Sequence, residues 1–202
     1  MALFGLTRPT GPEPLLRGDS LYLRPAASAD YVVWSRLRAA SRAFLEPWEP
    51  TWPEDDLTRA AFRRRLRRQE EDIARDEAYP FLVFDAASNE LLGGLTLGGV
   101  RRGVAQAATL GYWMGAQHAG KGHMSRAVAA AVDFAFTQLR LHRVEAACIP
   151  GNEPSIALLK RNGFEREGFA RAYLKIDGAW RDHVLFGLTE DSVRPIRAAR
   201  LG

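Results

Sequence analysis

A short glycine-containing stretch near the middle of the chain has the composition of an anion-binding loop. It follows an apolar run at 108–114, precedes apolar residues at helical spacing, and reads Gln117-His118-Ala119-Gly120-Lys121-Gly122. A strand that turns directly into a helix leaves the first N–H groups of that helix without partners, and the helix dipole adds partial positive charge there. The glycines let a bulky anion approach the backbone, and the lysine adds a cation. The stretch therefore predicts a phosphate-binding site.

The spacing of this loop differs from that of two common nucleotide-binding loops. A Walker A loop requires Gly-Lys-[Ser/Thr] after a longer glycine spacing, and a dinucleotide fingerprint requires Gly-x-Gly-x-x-Gly within a βαβ unit. Neither pattern occurs at 117–122. Taken alone, the hexapeptide is also compatible with a plain joint between a strand and a helix.

A second stretch, at 44–53, combines aromatic and acidic residues on a chain stiffened by proline. Three prolines prevent a continuous helix, while Trp48 and Trp52 need burial or a ligand. Glu46 and Glu49 belong to the same stretch. Two interpretations stay open: a rigid turn packed on the core, and one wall of a cleft for an acceptor substrate.

The composition is that of one globular domain. The 202 residues are 47% hydrophobic, carry a formal net charge of +4 and include one cysteine. Cys148 cannot form an internal disulfide, and its apolar neighbours favour a buried, inert thiol over a nucleophile. The sequence has no signal-peptide pattern, no apolar run of transmembrane length and no cluster with metal-ligand spacing. We therefore expect a cytoplasmic protein with no membrane contact and no metal.

Most of the positive charge comes from arginine, and five arginines lie at 63, 64, 65, 67 and 68. A basic surface favours polyanions, so this segment could make a weak contact with the ribosome or RNA. Acidic residues follow at 70–72, at the spacing of ion pairs along one helix. A solvated helix face is the alternative interpretation.

Alternating strands and helices must position these stretches. Patterning predicts a first helix from an N-cap at Ser28 to about Phe44, a second over about 55–76 and a long third helix over about 122–140. Strands are predicted at 21–25, 81–84, 90–100, 108–114, 142–149, 167–176 and 180–188. Because a crossover helix joins the strands at 108–114 and 142–149, these two should pair in parallel.

Smaller signals mark the last third of the chain and the domain limits. Asn152 is a predicted N-cap of a short helix, Gly163 its left-handed C-terminal cap, and Asp177-Gly178 a hairpin turn. We expect an extended N-terminal arm at 1–18, one domain at 19–190 and a C-terminal tail at 191–202.

Several of these stretches together resemble one protein family. The chain is similar to the RimJ/RimL branch of the GCN5-related N-acetyltransferase superfamily, and within it to the RimJ group of ribosomal-protein-alanine N-acetyltransferases. The similarity covers roughly residues 18–190. The stretches that carry it lie at 45–50, 110–115, 117–122, 124, 142–143, 152–155, 162–164 and 173–183.

The resemblance implies a fold, a cofactor and a set of binding residues. The fold would be a single α/β domain of about four helices and a mixed, mostly antiparallel central sheet of about seven strands. Its sheet would splay open between the strand before the loop and the strand at 143–149, with acetyl-coenzyme A in the opening. The implied cofactor-binding residues are Trp113, Met114, Gln117, His118, Ala119, Gly120, Lys121, Gly122, Met124, Ser125, Asn152 and Ser155.

The resemblance also implies how acetyl transfer would proceed. The backbone N–H of Met114 would stabilise the developing oxyanion. Many superfamily members have a tyrosine general acid where this chain has Leu159, so Ser155, a water molecule or Tyr173 would protonate the leaving thiolate. Candidate bases are Glu49, Glu46 and Glu145, and implied substrate contacts are Trp48, Glu49 and Tyr173.

A site without a prominent base suits an acceptor that is already partly neutral. A protein N-terminus has a pKa of roughly 7.7–8, whereas a lysine side chain titrates near 10.4 and would need much more help. The leading prediction is therefore acetylation of the N-terminal amine of a protein, and the resemblance implies a protein of the ribosomal type. The alternatives are acetylation of a small-molecule amine, or a ribosome-binding assembly factor in which acetylation is secondary.

Overall fold

Eight strands form one mixed sheet in the computed structural model, which describes residues 16–18 and 20–193. The strands are β1 Leu16–Gly18, β2 Leu21–Arg24, β3 Ala78–Asp85, β4 Leu91–Arg101, β5 Ala107–Met114, β6 Arg143–Cys148, β7 Glu165–Ile176 and β8 Ala179–Thr189. Their order across the sheet is β1-β2-β3-β4-β5-β6-β8-β7, and every neighbouring pair is antiparallel except β5 and β6. The predicted mixed, mostly antiparallel sheet is confirmed.

The structure has one strand more than we predicted, and this strand lies in the segment that we assigned to the N-terminal arm. Leu16–Gly18 forms β1 and pairs with β2, so the sheet includes the last residues of the predicted 1–18 arm. The remainder of that arm, at 1–15, and positions 194–202 of the predicted tail lie outside the described residues.

The helices flank both faces of the sheet. Their bounds are α1 Tyr31–Ala40, α2 Arg42–Leu45, α3 Arg59–Ala74, α4 His123–Thr137 and α5 Glu153–Arg161. On one face, α4 buries the predicted stripe of Met124, Val128, Ala131 and Ala135 against the sheet. On the other face, Trp34 of α1 packs with residues of α3 and the sheet in a second cluster.

Local capping chemistry decides where several helices begin and end. Asn152 Oδ1 accepts a hydrogen bond from the Ser155 N–H at 3.2 Å, and Gly163 has φ of 84°, so both predicted caps of α5 are confirmed. The N-cap at Ser28 is wrong. Asp30 is the N-cap of α1, and Ala27 precedes the 3-10 turn Ser28–Asp30. The Ala27 N–H donates to the Asp30 carboxylate at 2.7 Å, because that side chain reaches back over the turn.

The first predicted helix is also interrupted. Ser41 separates α1 from α2, and its hydroxyl accepts a hydrogen bond from the Ala116 N–H at 3.0 Å. The helix is therefore interrupted where a long-range hydrogen bond forms. The pattern of neighbouring residues along the chain could not have predicted this hydrogen bond.

The parallel pairing of β5 with β6 is confirmed, but it is short. It comprises the pairs Ala107 with Arg143, Ala108 with Val144 and Thr109 with Glu145. Beyond Thr109, β5 stays paired with β4 to Met114, and β6 stays paired with β8 to Cys148. The two strands thus diverge, which leaves an opening in the middle of the sheet.

Gly93 is required where β4 meets β5. A Cβ at Gly93 would collide with the carbonyl oxygen of Trp113 and approach Met114 Cα to 3.1 Å, and both are backbone atoms that cannot move aside. We expect Gly93→Ala to lower the free energy of unfolding by about 1–3 kcal/mol, as overpacking does, measured by chemical denaturation. Gly98→Ala on the same strand is the control, because its Cβ would make an ordinary contact of 3.6 Å with Thr96. Equal free energies of unfolding of the two variants would contradict the conclusion that the close backbone contact requires glycine at position 93.

Candidate active site

The opening between β5 and β6 forms a cavity of about 460 Å³ that crosses the sheet. On one side its wall includes the first turn of α4 and residues of α5, and on the other it includes Phe44, Trp48 and Glu49. Leu174 and Ile176 of the β7–β8 hairpin complete that second side. Two different molecules can therefore meet in the opening from opposite faces of the sheet.

The glycine-containing loop ends in an uncapped helix. Gly122 is the N-cap of α4, has φ of 77° and makes no side-chain cap hydrogen bond. Gly120 has φ of 75°, and a Cβ there would meet no atom within 4 Å. Both glycines line the cavity together with His123, Met124 and Ser125. The first N–H groups of α4 therefore face a space that a phosphate group can enter.

The side chains of the loop divide into two groups. His118 is buried and lines the cavity, as does Ala119. Gln117 and Lys121 are exposed and are not part of the cavity wall. The amide of Gln117 contacts Glu90 at 3.4 Å and the His118 ring at 3.1 Å. The loop thus presents backbone and glycine surface, rather than the Lys121 ammonium, to the cavity.

The end of β5 offers a free donor to the opening. Trp113 and Met114 both line the cavity. The Gly115 N–H donates to Leu92 O of β4 at 2.9 Å. Because N–H groups alternate in direction along a strand, the Met114 N–H points away from β4 and toward the gap.

A chain of three polar side chains crosses the cavity floor. The Ser155 hydroxyl lies 2.7 Å from the Tyr112 hydroxyl and 3.0 Å from Cys148 Sγ. Burial raises the pKa of the Tyr112 phenol and of the Cys148 thiol, so both stay protonated. The expected burial of Cys148 is confirmed. Sequence reasoning missed Tyr112, whose only signal was its place in an apolar strand.

Glu49 is held in the cavity wall by three donors. Arg38 donates to both carboxylate oxygens at 2.7 Å, and Trp52 Nε1 donates to Oε2 at 2.7 Å. The Arg38 guanidinium stacks over the Trp52 ring at 4.0 Å and the Trp113 ring at 4.9 Å. The 44–53 stretch therefore packs on the core and lines the cavity at once.

The β7–β8 hairpin is joined to this stretch. Asp177 and Gly178 have φ of 47° and 73° and form its turn, as predicted, and the Asp177 N–H donates to Glu49 O at 2.9 Å. Tyr173 is half-exposed and lies outside the cavity wall, where its ring meets the His183 ring edge-on at 5.7 Å. His183, another residue missed from the sequence, is buried and does line the cavity.

The two other candidate bases lie away from the cavity. Glu46 is half-exposed and pairs with Arg42 at 2.5 Å. Glu145 is paired with Arg101 and Arg143; burial acts to raise its pKa, but the hydrogen bonds from these arginines lower it overall. Neither residue lines the cavity.

The described part of the chain contains neither a membrane-crossing helix nor a metal-binding cluster. None of its helices has the length and apolar character that a membrane span requires. Among residues 16–18 and 20–193, no three His, Cys, Asp or Glu side chains are grouped so that they could hold a metal ion.

Comparison with known proteins identifies this arrangement. The family described as "Acetyltransferase (GNAT) domain" matches residues 20–165. The chain belongs to this family. The predicted superfamily and the predicted enzyme class, an N-acetyltransferase, are therefore confirmed.

Similarity to individual relatives indicates the RimJ/RimL branch of this family. This N-acetyltransferase is 37% identical to the [Ribosomal protein uS5]-alanine N-acetyltransferase of Escherichia coli (strain K12) over 195 residues, which cover 96% of this chain and 100% of that protein. It is 36% identical to Probable N-acetyltransferase YjcK of Bacillus subtilis (strain 168) over 174 residues, covering 86% and 96%. Mycobacterium smegmatis RimJ, solved in complex with CoA-disulfide, has a TM-score of 0.82 and 34% identity, covering 93% of this chain and 94% of that one.

Proposed function

We propose that this N-acetyltransferase transfers the acetyl group of acetyl-coenzyme A to the N-terminal amine of a protein, of the ribosomal-protein type. The observation that carries the proposal is the similarity, over 96% of this chain, to an enzyme that acts on the alanine of ribosomal protein uS5. A cavity lined by residues from both faces of the sheet supports it, because a cofactor and a peptide terminus can then meet from opposite sides.

The residues present fit acetyl-coenzyme A. The uncapped N-terminus of α4 with Gly120 and Gly122 suits a pyrophosphate, and the free edge of β5 suits an amide-containing chain. When bound, acetyl-coenzyme A supplies a thioester with a good leaving group. The residues that would hold it are Trp113, Met114, the backbone of Gln117, His118, Ala119, Gly120, Lys121 and Gly122, and also Met124, Ser125, Asn152 and Ser155.

The floor of the cavity provides donors for the charge that develops during acyl transfer. The Met114 N–H, directed into the gap, would stabilise an oxyanion. The Ser155 hydroxyl is free to turn toward the cavity and give up a proton, since the protonated Tyr112 hydroxyl 2.7 Å away can donate to it in turn. Ser155 is thus the proposed acid in a chain that has leucine at position 159.

Ser155→Ala is expected to lower kcat about tenfold or more, with little change in the KM for acetyl-coenzyme A, because the proton donor is lost while the binding surface remains. Steady-state kinetics and a melting curve measure the two effects. The melting temperature should fall only modestly, because Tyr112 loses a hydrogen-bond partner while the cap of α5, made by Asn152, remains. A normal kcat would remove Ser155 from the mechanism.

The opposite side of the cavity suits a cationic amine. Trp48 and the Glu49 carboxylate line it, and an aromatic wall with a negative charge attracts an ammonium group. Tyr173 would contribute by packing on His183, since its own ring lies outside the wall.

A ribosome or RNA contact through α3 receives less support. Arg64 pairs with Asp55, and Arg65 pairs with Asp56 at 2.7 Å, so part of the positive charge is already neutralised. This pairing favours the solvated-face interpretation of the arginine cluster.

The proposed acceptor can be tested with matched peptides. Peptides that begin with alanine or serine and have a free N-terminus should be acetylated, as shown by thiol release from acetyl-coenzyme A and by mass spectrometry. The same peptides with a blocked terminus and a free lysine should not react. Faster acetylation of the blocked peptides, or of a polyamine, would replace the N-terminal proposal by a lysine-directed or small-molecule activity.

A further inference from the structure

We propose that His183 is the general base that accepts the proton of the acceptor amine. The proposal rests on the proposed function, in which that acceptor is a protein N-terminus. His183 lies on β8, is only 3% exposed, and lines the cavity. His183 has no role in the proposed cofactor binding by the glycine-containing loop or in the proposed proton donation by Ser155.

The pairing of β8 places His183 on the acceptor side of the sheet. Val184 pairs with Cys148, and both belong to the core that α4 covers. Because neighbouring residues of a strand point to opposite faces, His183 faces the other side. It shares that side with Leu174, which pairs with Arg181 two residues earlier on β8.

The hydrogen bonding of the ring fixes which nitrogen can act as a base. Nδ1 of His183 lies 3.0 Å from the carbonyl oxygen of Arg181. A carbonyl oxygen only accepts, so Nδ1 carries the proton and, in the neutral ring, Nε2 has the free lone pair. No hydrogen bond to Nε2 occurs among the residues that the structure describes. The Tyr173 ring packs edge-on against the imidazole and holds its orientation.

The other histidines that line the cavity already use their lone pairs in hydrogen bonds. Nε2 of His118 lies 3.1 Å from the Gln117 amide nitrogen, and Nδ1 of His123 lies 2.9 Å from the Arg126 guanidinium. His123 also belongs to the first turn of α4, on the cofactor side. His183 therefore differs from both in its free lone pair, and from His123 also in its side of the sheet.

The Glu49 carboxylate is a poor alternative base. Its two oxygens already accept hydrogen bonds from Arg38, and Oε2 accepts a further one from Trp52. Most of its acceptor capacity is therefore already used by these three N–H groups. Glu49 thus supplies charge, and His183 supplies the base.

The proton balance of the step is simple. A protonated N-terminus, with a pKa of roughly 7.7–8, gives one proton to Nε2, and the neutral amine can then attack. The nitrogen loses a second proton as the amide forms, and this proton balances the one that Ser155 gives to the departing thiolate. The imidazolium keeps its Nδ1–H bond to the Arg181 carbonyl and returns the transferred proton to water.

His183→Asn tests the proposal while keeping the structural hydrogen bond. The asparagine amide can donate to the Arg181 carbonyl, but the variant has no group that accepts a proton. We expect kcat/KM for a peptide with a free N-terminus to fall at least about tenfold at pH 7, with acetyl-coenzyme A affinity by calorimetry unchanged. The defect should shrink toward pH 9, where the amine is already neutral in water. His142→Asn, at an exposed position outside the cavity wall, is the matched control.

Two results would overturn the proposal: wild-type kcat/KM in His183→Asn, or a defect of equal size at pH 7 and pH 9. If the variant does not fold, histidine-ring nitrogen NMR of the wild-type protein decides. If His183 is the base, its neutral ring must carry the proton on Nδ1, and the Nε2 signal must change when an acceptor binds to the coenzyme A complex. A neutral ring with its proton on Nε2 excludes this role for His183. If the wild type acetylates no peptide N-terminus, the proposed function fails, and the same NMR experiment with the amine that does react decides for His183.

Discussion

Gly120→Asp should abolish binding of acetyl-coenzyme A. Gly120 has φ of 75°, and a side chain there would extend into open space beside the N-terminus of α4. An aspartate would place bulk and negative charge where the pyrophosphate is proposed to lie. We expect affinity to fall at least about 100-fold, or about 2.7 kcal/mol, measured by isothermal titration calorimetry.

Gly103→Asp is the matched control for this change. Gly103 has φ of 64° and equally open space around a Cβ, but it lies in the exposed turn between β4 and β5. Both substitutions impose similar left-handed strain, of about 1–2 kcal/mol, so their melting temperatures should fall together. Only Gly120→Asp should lose the cofactor. Near-normal affinity in Gly120→Asp would rule out the loop as the pyrophosphate site.

Glu49→Gln is expected to lower kcat/KM for an N-terminal peptide at least about tenfold, which corresponds to about 1.4 kcal/mol. The change removes the negative charge from the acceptor side of the cavity while the cofactor side is untouched, so acetyl-coenzyme A affinity should stay the same. It also leaves the buried Arg38 guanidinium without its charged partner, and breaking such a pair costs about 3–5 kcal/mol of stability. Kinetics must therefore be measured well below the melting temperature of the variant.

Glu46→Gln separates the role of Glu49 from a general effect of charge. Glu46 belongs to the same stretch, but its pair with Arg42 is exposed to solvent and contributes little. This variant should match the wild type in stability and in peptide kinetics. If Glu49→Gln also retains normal peptide kinetics, Glu49 has no part in acceptor binding.

The local features of this protein follow from its sequence. The stripe of α4, the N-cap at Asn152, the left-handed Gly163 and the Asp177-Gly178 turn all appear where their patterns predicted. Each depends on residues within a few positions along the chain, such as the 3.6-residue period, a side chain that reaches the next turn, or a glycine at positive φ. The loop with its two glycines is of this kind, and it is one of several stretches whose joint resemblance to known acetyltransferases predicted the superfamily.

The chemistry of the cavity was decided by contacts between distant parts of the chain. Arg38 meets Glu49, Tyr112 meets Ser155, and the place of β8 in the sheet brings His183 to the cavity. Alternating apolar residues predict a strand, but they do not predict where its pairing with a neighbour stops. Here the parallel pairing of β5 and β6 ends after Thr109, and the resulting gap lets side chains from both faces of the sheet share one cavity. That divergence is a property of the packed sheet, so only the tertiary structure could show which acids, bases and carboxylates lie together.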